Sequence, residues 1–494
     1  MRVALIFPNY LDTFFMVSAS AHPPLGLAMI ATMVQEAGHE VMVIDATAER
    51  LNTHRLLEKI EKFSPDIIGI TTMVSFARRA VVTGKWIKAR LNDIPVIYGG
   101  PWATVEFKEI LSSGAGDYVA IGEGEHTVVE LLSCLKRGES LHEVKGLAFL
   151  HEGEIITTPP RPYCENLDAL PFPNWSLFPK PRHYFFDSKG TTFYPIMTSR
   201  GCPLGCIHCT KKIHGYKIRY KSVERVIAEI AFLHGRFHAD EIIIADDNFN
   251  HDIDRAEEIC DGIMKLDFKI HLRFSNGIRA DKLTPRLAWK LKQAGAYDIA
   301  LGIESGNQQI VYKIGKNLDL DTVRRATSIL KKLNIISRGF FMIGLPHENI
   351  HTLVDTKRFA LELDLDIAHF YKVIPFTGTR MHDIIRKKGT LLDNFNAGKN
   401  YYSLNDAVFE FEGLPKELVE LAREDIHRSF YFRWSKIIGL LGKLRLFKNF
   451  RWLLNALFRV ILNAFKGTGT DSSKGTRESI LTRLREMGKK APIT

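Results

Sequence analysis

The chain has 494 residues, 45% of them hydrophobic and 25% charged, which is typical of a soluble globular protein with two or three domains. The net charge is +11, but nine Lys or Arg and no Asp or Glu fall between His427 and Gly467. The rest of the chain is nearly neutral, so the charge does not predict a nucleic-acid-binding protein. The apolar run at the N-terminus is too short for a signal peptide and is expected to form a first strand, and six cysteines, half of them in one run, favour the cytoplasm over a disulfide-forming compartment.

Residues 1–135 alternate strand and helix patterns, which predicts a doubly wound, Rossmann-like α/β domain with a parallel sheet. The predicted strands are Arg2–Phe7, Glu40–Ile44, Asp66–Thr71, Ile94–Tyr98 and Asp117–Ile121, and the predicted helices are Leu27–Ala37, Leu51–Phe63 and Arg78–Leu91.

The segments after these strands are rich in glycine and small hydroxyl residues. Such residues allow the backbone to approach a large, flat or phosphate-bearing ligand, and ligands of such sheets bind beyond the carboxyl ends of the strands. Ordinary tight turns are the alternative. The candidate ligand-binding residues are Thr71, Thr72, Ser75, Gly99, Gly100, Pro101, Thr104, Gly122, Glu123 and Gly124.

Residues 136–191 are predicted to form a connector that contains a hairpin at Gly146–Ile156 and a proline-rich linker. Residues 192–400 then repeat strand and helix patterns about six times. This count predicts a partial (β/α)6 barrel of the TIM type, with its site at the carboxyl ends of the strands.

Three cysteines, Cys202, Cys206 and Cys209, are spaced C-x-x-x-C-x-x-C in a loop that also contains Gly201 and Gly205. Clustered thiolates bind soft metal centres, and an iron–sulfur cluster is the leading interpretation. A zinc site is the alternative, although it usually needs four ligands and no second cysteine pair is present. A chance cluster of buried cysteines is the other alternative.

This run resembles the signature of the radical S-adenosylmethionine (SAM) superfamily, whose three cysteines bind a [4Fe–4S] cluster. The resemblance implies that SAM chelates the open iron and is cleaved to a 5′-deoxyadenosyl radical. It also implies that His208 packs near the adenine of SAM.

Polar residues follow successive predicted barrel strands, where a zwitterionic, ribose-bearing cofactor needs them. Each alone is also explained as a helix cap or loop residue, but the matching positions in the superfamily imply a SAM site. The candidates are Asp246, Asp247, Asn276, Glu304 and Lys316.

The N-terminal segments H-P-P-L-G-L (22–27), G-G-P-W-A-T (99–104) and G-E-G-E (122–125) are similar to the cobalamin-binding domain that precedes many radical SAM domains. The D-x-H-x-x-G motif that supplies an axial histidine in cobalamin mutases is absent, so His22 is not assigned to cobalt. The two resemblances imply the cobalamin-dependent radical SAM class, which includes the anaerobic magnesium-protoporphyrin monomethyl ester cyclase and many methyltransferases. They imply a [4Fe–4S] cluster, SAM and cobalamin as cofactors, methylation of an unactivated carbon, and a flavodoxin- or ferredoxin-type electron donor.

Residues 401–466 are predicted to be a basic helical region and 467–494 a flexible tail. Basic residues alternate with Trp, Phe and Leu over 430–466, which favours either a helix on an anionic membrane surface or a cap over the barrel. A peripheral membrane location would suit a hydrophobic or lipid substrate. Two other functions stay open: a radical cyclase or rearrangement enzyme without methyl transfer, and a cobalamin- or redox-responsive binding protein.

Overall fold

The computed structural model describes residues 1–10, 22–184, 188–392, 395, 407–433 and 482. Its first sheet and the helices around it occupy residues 2–157. The strands are β1 (Arg2–Phe7), β2 (Glu40–Asp45), β3 (Ile67–Thr71), β4 (Val96–Gly99), β5 (Tyr118–Ala120), β6 (Leu147–His151) and β7 (Glu154–Thr157). The helices are α1 (Leu25–Glu36), α2 (Thr53–Phe63), α3 (Ala77–Arg90), α4 (Pro101–Ser112) and α5 (Glu125–Arg137).

The strand order in this sheet is β2-β1-β3-β4-β5-β6-β7. Strands β1 to β5 pair in parallel, so the expected doubly wound domain is confirmed, and the order reverses between β1 and β3. The hairpin expected in the connector is β6–β7, and it extends the sheet because β6 pairs antiparallel to β5. Ligands of such sheets bind at the reversal point, beyond the carboxyl ends of the strands.

Helices α4 and α5 were not predicted from the sequence. The loop expected at 99–104 is shorter in the structure, because α4 begins at Pro101, whose fixed φ suits the first helical position. Gly100 precedes it with φ +99°, and a Cβ there would lie 2.4 Å from the Thr72 carbonyl oxygen. Only glycine fits this turn.

The second main sheet and its helices begin at Phe193. The strands are β8 (Phe193–Ile196), β9 (Ser199–Arg200), β10 (Arg219–Tyr220), β11 (Glu241–Ile244), β12 (His271–Ile278), β13 (Ala296–Glu304), β14 (Ile336–Ile343), β15 (Ile367–Lys372), β16 (Thr390–Leu391) and β17 (Phe409–Glu410). The helices are α6 (Val223–Phe237), α7 (Ile253–Met264), α8 (Pro285–Gln293), α9 (Gln308–Lys313), α10 (Leu320–Lys332), α11 (Ile350–Glu362), α12 (Arg380–Lys388) and α13 (Lys416–Tyr431).

Six parallel strands form this sheet in the order β15-β14-β13-β12-β11-β8, which is the order of the chain. Within the described residues β8 and β15 are the two edges and do not pair with each other, as an open, partial barrel requires. The prediction of six βα units in a partial barrel is confirmed.

The connector packs on both sheets. Asn174 donates its backbone N–H to Thr32 of α1 over 2.8 Å, and the Tyr184 hydroxyl donates to the buried Asp45 carboxylate at the end of β2 over 2.8 Å. Trp175 lies against Tyr194 of β8, with 5.2 Å between ring centroids. The proline-rich segment therefore fixes the barrel edge next to the first domain.

The C-terminal prediction is tested only in part. Helix α13 was expected and is observed, and it packs on β15. The rest of the basic segment, 434–466, and the predicted flexible tail, apart from Thr482, lie outside the described residues. No helix in the part of the chain that the structure describes is long and apolar enough to cross a membrane.

Glu348 is a buried carboxyl group that follows the end of β14. It accepts hydrogen bonds from the backbone N–H groups of Gly344 (2.7 Å) and Leu345 (2.9 Å). Burial nevertheless raises the pKa of Glu348 from 4.5 to about 7. The native chain thus holds a proton that the unfolded chain releases between these pH values.

We predict that Glu348→Gln changes the pH dependence of stability. The raised pKa favours the native wild type below pH 4.5, and that contribution is lost as pH rises to about 7. The Glu348→Gln variant lacks this loss, so its stability relative to wild type should increase by up to about 3 kcal/mol from acid to alkaline pH. Urea unfolding followed by circular dichroism on both sides of the window checks this. The same substitution at exposed Glu36 is the control, and an equal pH response of both variants would contradict the assignment.

Candidate cofactor site

The cysteine loop lies between β9 and β10, directly after the first barrel strand. Gly201 has φ +90°, and a Cβ there would lie 2.3 Å from the Lys217 carbonyl oxygen, so this position requires glycine. The loop's second glycine, Gly205, has no such requirement, because its φ is not positive and a Cβ would have nothing within 4 Å. The close approach is instead at Gly315, where a Cβ would lie 2.4 Å from the Gly205 carbonyl oxygen.

Backbone hydrogen bonds fasten the middle of the loop to the barrel. The Ile207 N–H donates to the Ile314 carbonyl oxygen over 2.9 Å, and the Met381 N–H donates to the Ile207 carbonyl oxygen over 2.9 Å. The Ile207 side chain packs into an apolar cluster with Ile314, Leu345 and Met381. The loop is therefore fixed against residues that follow three different barrel strands.

The cysteine side chains fit a cubane cluster. Cys202 and Cys206 are buried and Cys209 is exposed. A hydrogen bond with Cys209 lowers the pKa of Cys206 to about 6 and raises that of Cys209, and, although burial opposes this, the Cys202 and Cys209 thiols raise the pKa of Lys211. Among the described residues, no three His, Cys, Asp or Glu side chains are grouped to hold one metal ion. A cubane does not need such a group, because each thiolate binds a different iron.

A buried ion pair lies beside this loop. The Lys316 ammonium is 2.8 Å from Glu304 Oε1, and His208 Nε2 is 4.0 Å from the same oxygen. Burial would raise the pKa of Glu304, but Lys316 outweighs it and holds that pKa below its usual value. Burial lowers the pKa of His208, so this imidazole is neutral near pH 7. The structure thus brings together three of the SAM candidates, Glu304, Lys316 and His208.

The backbone around the Glu304–Lys316 pair has two unusual features. Glu304 has φ +69°, a conformation that side chains other than glycine rarely adopt and that is typical of functional sites. At Gly302, a Cβ would lie 2.7 Å from the Lys316 ammonium nitrogen. The missing side chain leaves the space in which the ammonium lies.

Orphaned polar atoms near these strand ends fit a polar cofactor such as SAM. His208 Nδ1 and both polar atoms of the Asn248 side chain are buried and have no hydrogen-bond partner within the described part of the chain. Unpaired buried groups of this kind cost free energy, so a ligand that pairs with them is favoured. Asn248 was not predicted as a site residue, although it directly follows the candidates Asp246 and Asp247 in the sequence.

The structure gives three other SAM candidates different surroundings. Asp246 is buried and accepts hydrogen bonds of 2.6 Å from the Thr198 N–H, the Thr198 hydroxyl and the Ser199 hydroxyl. It therefore anchors the segment before the cysteine loop rather than facing a ligand. Asn276 lies inside β12, not after it, and donates to the Ala245 carbonyl oxygen over 2.8 Å. Asp247 is exposed.

Two of the cobalamin candidates have structural partners. The Thr72 hydroxyl donates to the Gly99 carbonyl oxygen and accepts from the Ala103 N–H, each over 2.9 Å. The Thr104 hydroxyl accepts from the Gly122 N–H over 3.0 Å. Both threonines shape the turns in which they lie: the Thr72 hydroxyl uses its proton in these bonds, whereas the Thr104 hydroxyl acts only as an acceptor. The other members of the set, apart from Glu123, surround the carboxyl ends of β3, β4 and β5 and stay predictions: Thr71, Ser75, Gly99, Gly100, Pro101, Gly122 and Gly124.

Glu123 has a role that the sequence did not predict. Its carboxylate accepts hydrogen bonds from Arg219 (2.7 and 3.0 Å), His214 (2.9 Å) and the Cys164 N–H (2.9 Å). Arg200, two residues before Cys202, lies 3.4 Å from Glu123 and 2.5 Å from Glu125.

Burial would raise the pKa of Glu123, but the bonds from His214 and Arg219 outweigh it and hold that pKa well below its usual range. We call Glu123, Glu125, Arg200, His214 and Arg219 the interdomain ion cluster. It joins the end of β5 to both ends of the cysteine loop.

The strand-end loops of the two sheets also meet elsewhere. A Cβ at Gly378, after β15, would lie 2.9 Å from Val105 of α4, and one at Gly122 would lie 4.0 Å from the Lys212 carbonyl oxygen. The carboxyl ends of both sheets therefore border the same region of the molecule.

Comparisons with known proteins agree with this arrangement. The model of the B12 binding domain matches residues 13–132, and that of the Radical SAM superfamily matches residues 196–360. Uncharacterized methyltransferase PH0819 of Pyrococcus horikoshii is 32% identical over 440 residues, which are 89% of this chain and 94% of that protein. The anaerobic magnesium-protoporphyrin IX monomethyl ester cyclase of Rubrivivax gelatinosus is 25% identical over 87% of this chain and 77% of its own.

This chain belongs to the cobalamin-dependent radical SAM family. A solved structure of the family, OxsB with aqua-cobalamin and SAM bound, has a TM-score of 0.70 at 17% identity and covers 99% of this chain and 84% of that one. Another, the methyltransferase TsrM from Kitasatospora setae with cobalamin and a [4Fe–4S] cluster, has a TM-score of 0.70 at 16% identity, covering 98% and 99%. The cofactors of the family are the cluster, SAM and cobalamin, and the fold expected from the sequence is confirmed.

We predict that Cys206→Ala abolishes the iron–sulfur absorbance and most of the bound iron, because two thiolates do not retain a cubane. Anaerobic reconstitution followed by iron analysis and visible spectroscopy measures this. Cys260→Ala removes a buried cysteine of α7 and should leave iron binding unchanged. Equal iron content in the two variants would contradict the assignment.

We predict that Glu123→Gln destabilises the chain by about 3 kcal/mol or more, because it leaves buried Arg219 without its carboxylate. The loss is expected in the apparent unfolding midpoint and in faster proteolysis of the connector. Glu130→Gln is the matched control, since Glu130 pairs with Arg161 at an exposed position and should cost about 1 kcal/mol or less. Similar losses in both variants would contradict an interdomain role.

Proposed function

We propose that this chain methylates an unactivated carbon of a hydrophobic substrate. The observation that carries the proposal is the buried Glu304–Lys316 pair beside the cysteine loop, within reach of His208. A cofactor with an ammonium, a carboxylate and an adenine would find an acceptor, a cation and an imidazole there. When bound, the cluster and SAM supply a carbon-centred radical and cobalamin supplies the methyl group.

The residues of this chain would bind and orient these groups. Cys202, Cys206 and Cys209 would ligate the cluster, and Lys316 and Glu304 would fix the amino-acid part of SAM. His208 and Asn248 would pair with polar atoms of the bound cofactor through their buried side chains. The interdomain ion cluster would hold the cysteine loop against the cobalamin domain and keep water out of the shared region.

Related proteins support methylation and also suggest one alternative reaction. Besides PH0819, the cytidylyl-2-hydroxyethylphosphonate methyltransferase of Streptomyces wedmorensis is 25% identical over 72% of this chain. The magnesium-protoporphyrin cyclases support a second candidate, radical cyclisation without methyl transfer. The two differ in product mass, because only methylation adds a carbon to the substrate.

We also propose a flavodoxin- or ferredoxin-type electron donor and contact of the basic segment over 430–466 with a membrane surface.

Reconstituted chain with cobalamin, SAM and a strong reductant is predicted to release 5′-deoxyadenosine, measured by anaerobic mass spectrometry. Lys316→Met should reduce this release at least tenfold, because the cofactor loses its ionic partner in a buried site. Lys313→Met, three residues away on the exposed surface of α9, is the control.

The outcomes separate the candidate functions. Deoxyadenosine that depends on Lys316, with cobalamin retained, supports the proposal. Release without bound cobalamin would contradict methyl transfer. An intact cluster without any turnover, with spectra that respond to cobalamin or reductant alone, would favour a sensor.

A further inference from the structure

Strands β14 and β15 place four large side chains on one face of the barrel sheet. On the opposite face, Phe341 stacks on Phe370 at 5.2 Å between ring centroids, and Phe370 contacts Phe430 of α13. That face is covered by helices. Because side chains alternate along a strand, Phe340, Met342, His369 and Tyr371 point to the inner face.

Three of these four side chains are rings in mutual contact. Ring centroids are 5.5 Å apart for Phe340 and His369, 6.2 Å for Phe340 and Tyr371, and 5.7 Å for His369 and Tyr371. The His369 and Tyr371 rings are parallel to within 5°. Tyr371 is 53% exposed, although it belongs to a sheet of the domain core. We call these four residues the aromatic wall.

Strand register places the wall next to the SAM residues. Phe340 pairs with Gly302 on one side and with His369 on the other. Gly302 is the residue over which the Lys316 ammonium lies. Adjacent strands are about 4.8 Å apart, so Phe340 is one strand and His369 two strands from this point. Met342 packs against the apolar cluster that contains Ile207 of the cysteine loop.

We propose that the aromatic wall binds a planar, aromatic or conjugated ring system, which is the part of the substrate that the enzyme presents to its radical. The inference deepens the proposed function and rests on it. Aromatic rings favour edge or offset-stacked partners at about 4.5–7 Å, and each such contact contributes binding free energy beyond that from burying apolar surface. A saturated chain lacks this contribution.

A matched pair of probes tests the ring requirement on the full chain loaded with cluster, SAM and cobalamin. 2-Naphthoate and trans-decahydro-2-naphthoate share one carbon skeleton and one carboxylate, and differ in aromaticity. Anaerobic calorimetry is expected to show tighter binding of the aromatic probe. Tyr371→Leu and Phe340→Leu should each weaken that binding about threefold to tenfold. Tyr371→Phe keeps the ring and should bind the aromatic probe as the wild type does.

Trp289→Leu is the control, because it removes a ring of similar exposure, 52%, from the outer helix α8. Equal binding of the two probes, binding that is insensitive to Tyr371→Leu, or no binding of either probe would overturn the inference. Deoxyadenosine release by the same variants is a separate readout. If the wild type releases no deoxyadenosine, the proposed function fails. Normal release with equal binding of the two probes refutes only the proposed role of the aromatic wall.

Discussion

The buried charges between the two domains are the constraint on which the rest of the site depends. Glu123 and Glu125 follow a strand of the cobalamin-binding domain, and they hold Arg200 and Arg219 at the two ends of the cysteine loop. Buried ion pairs often add little net stability, since desolvation offsets their attraction. Here their role is to fix the position of the cysteine loop. One short acidic loop fixes both ends of the cysteine loop against the cobalamin-binding domain.

This constraint explains why the two sheets present their carboxyl ends to one region. The SAM candidates lie near the ends of barrel strands and the cobalamin candidates near the ends of Rossmann-like strands, so both cofactors would border the same space. Glycines permit the approach at the points where a side chain would collide. Gly201 and Gly315 bring the cysteine loop against its neighbours, and Gly302 makes room for the Lys316 ammonium. The aromatic wall lies on the next two strands of the barrel sheet, β14 and β15.

The sequence predicted the regular parts well, because period-2 and period-3.6 patterns directly report which faces are buried. It pointed to the cysteine loop with His208 through the cysteine spacing and to Glu304 and Lys316 through polar residues near strand ends, and the structure brings His208, Glu304 and Lys316 together. It failed where a side chain had two plausible partners. Asp246 and Glu123 follow strands as ligands do, yet Thr198 and Arg219 satisfy them from distant parts of the chain. The aromatic wall could not be predicted from the sequence either. Phe340 and Phe341 are adjacent and identical, and only the strand register shows which of them faces the inside of the barrel.

If the cluster and cobalamin border one region, their unpaired electrons should interact. Electron paramagnetic resonance on the chain loaded with reduced cluster and cob(II)alamin measures this interaction, since both centres are paramagnetic. We expect mutual broadening or splitting of the two signals, which disappears when either centre is omitted. Two signals that simply add, with each cofactor fully bound, would contradict it.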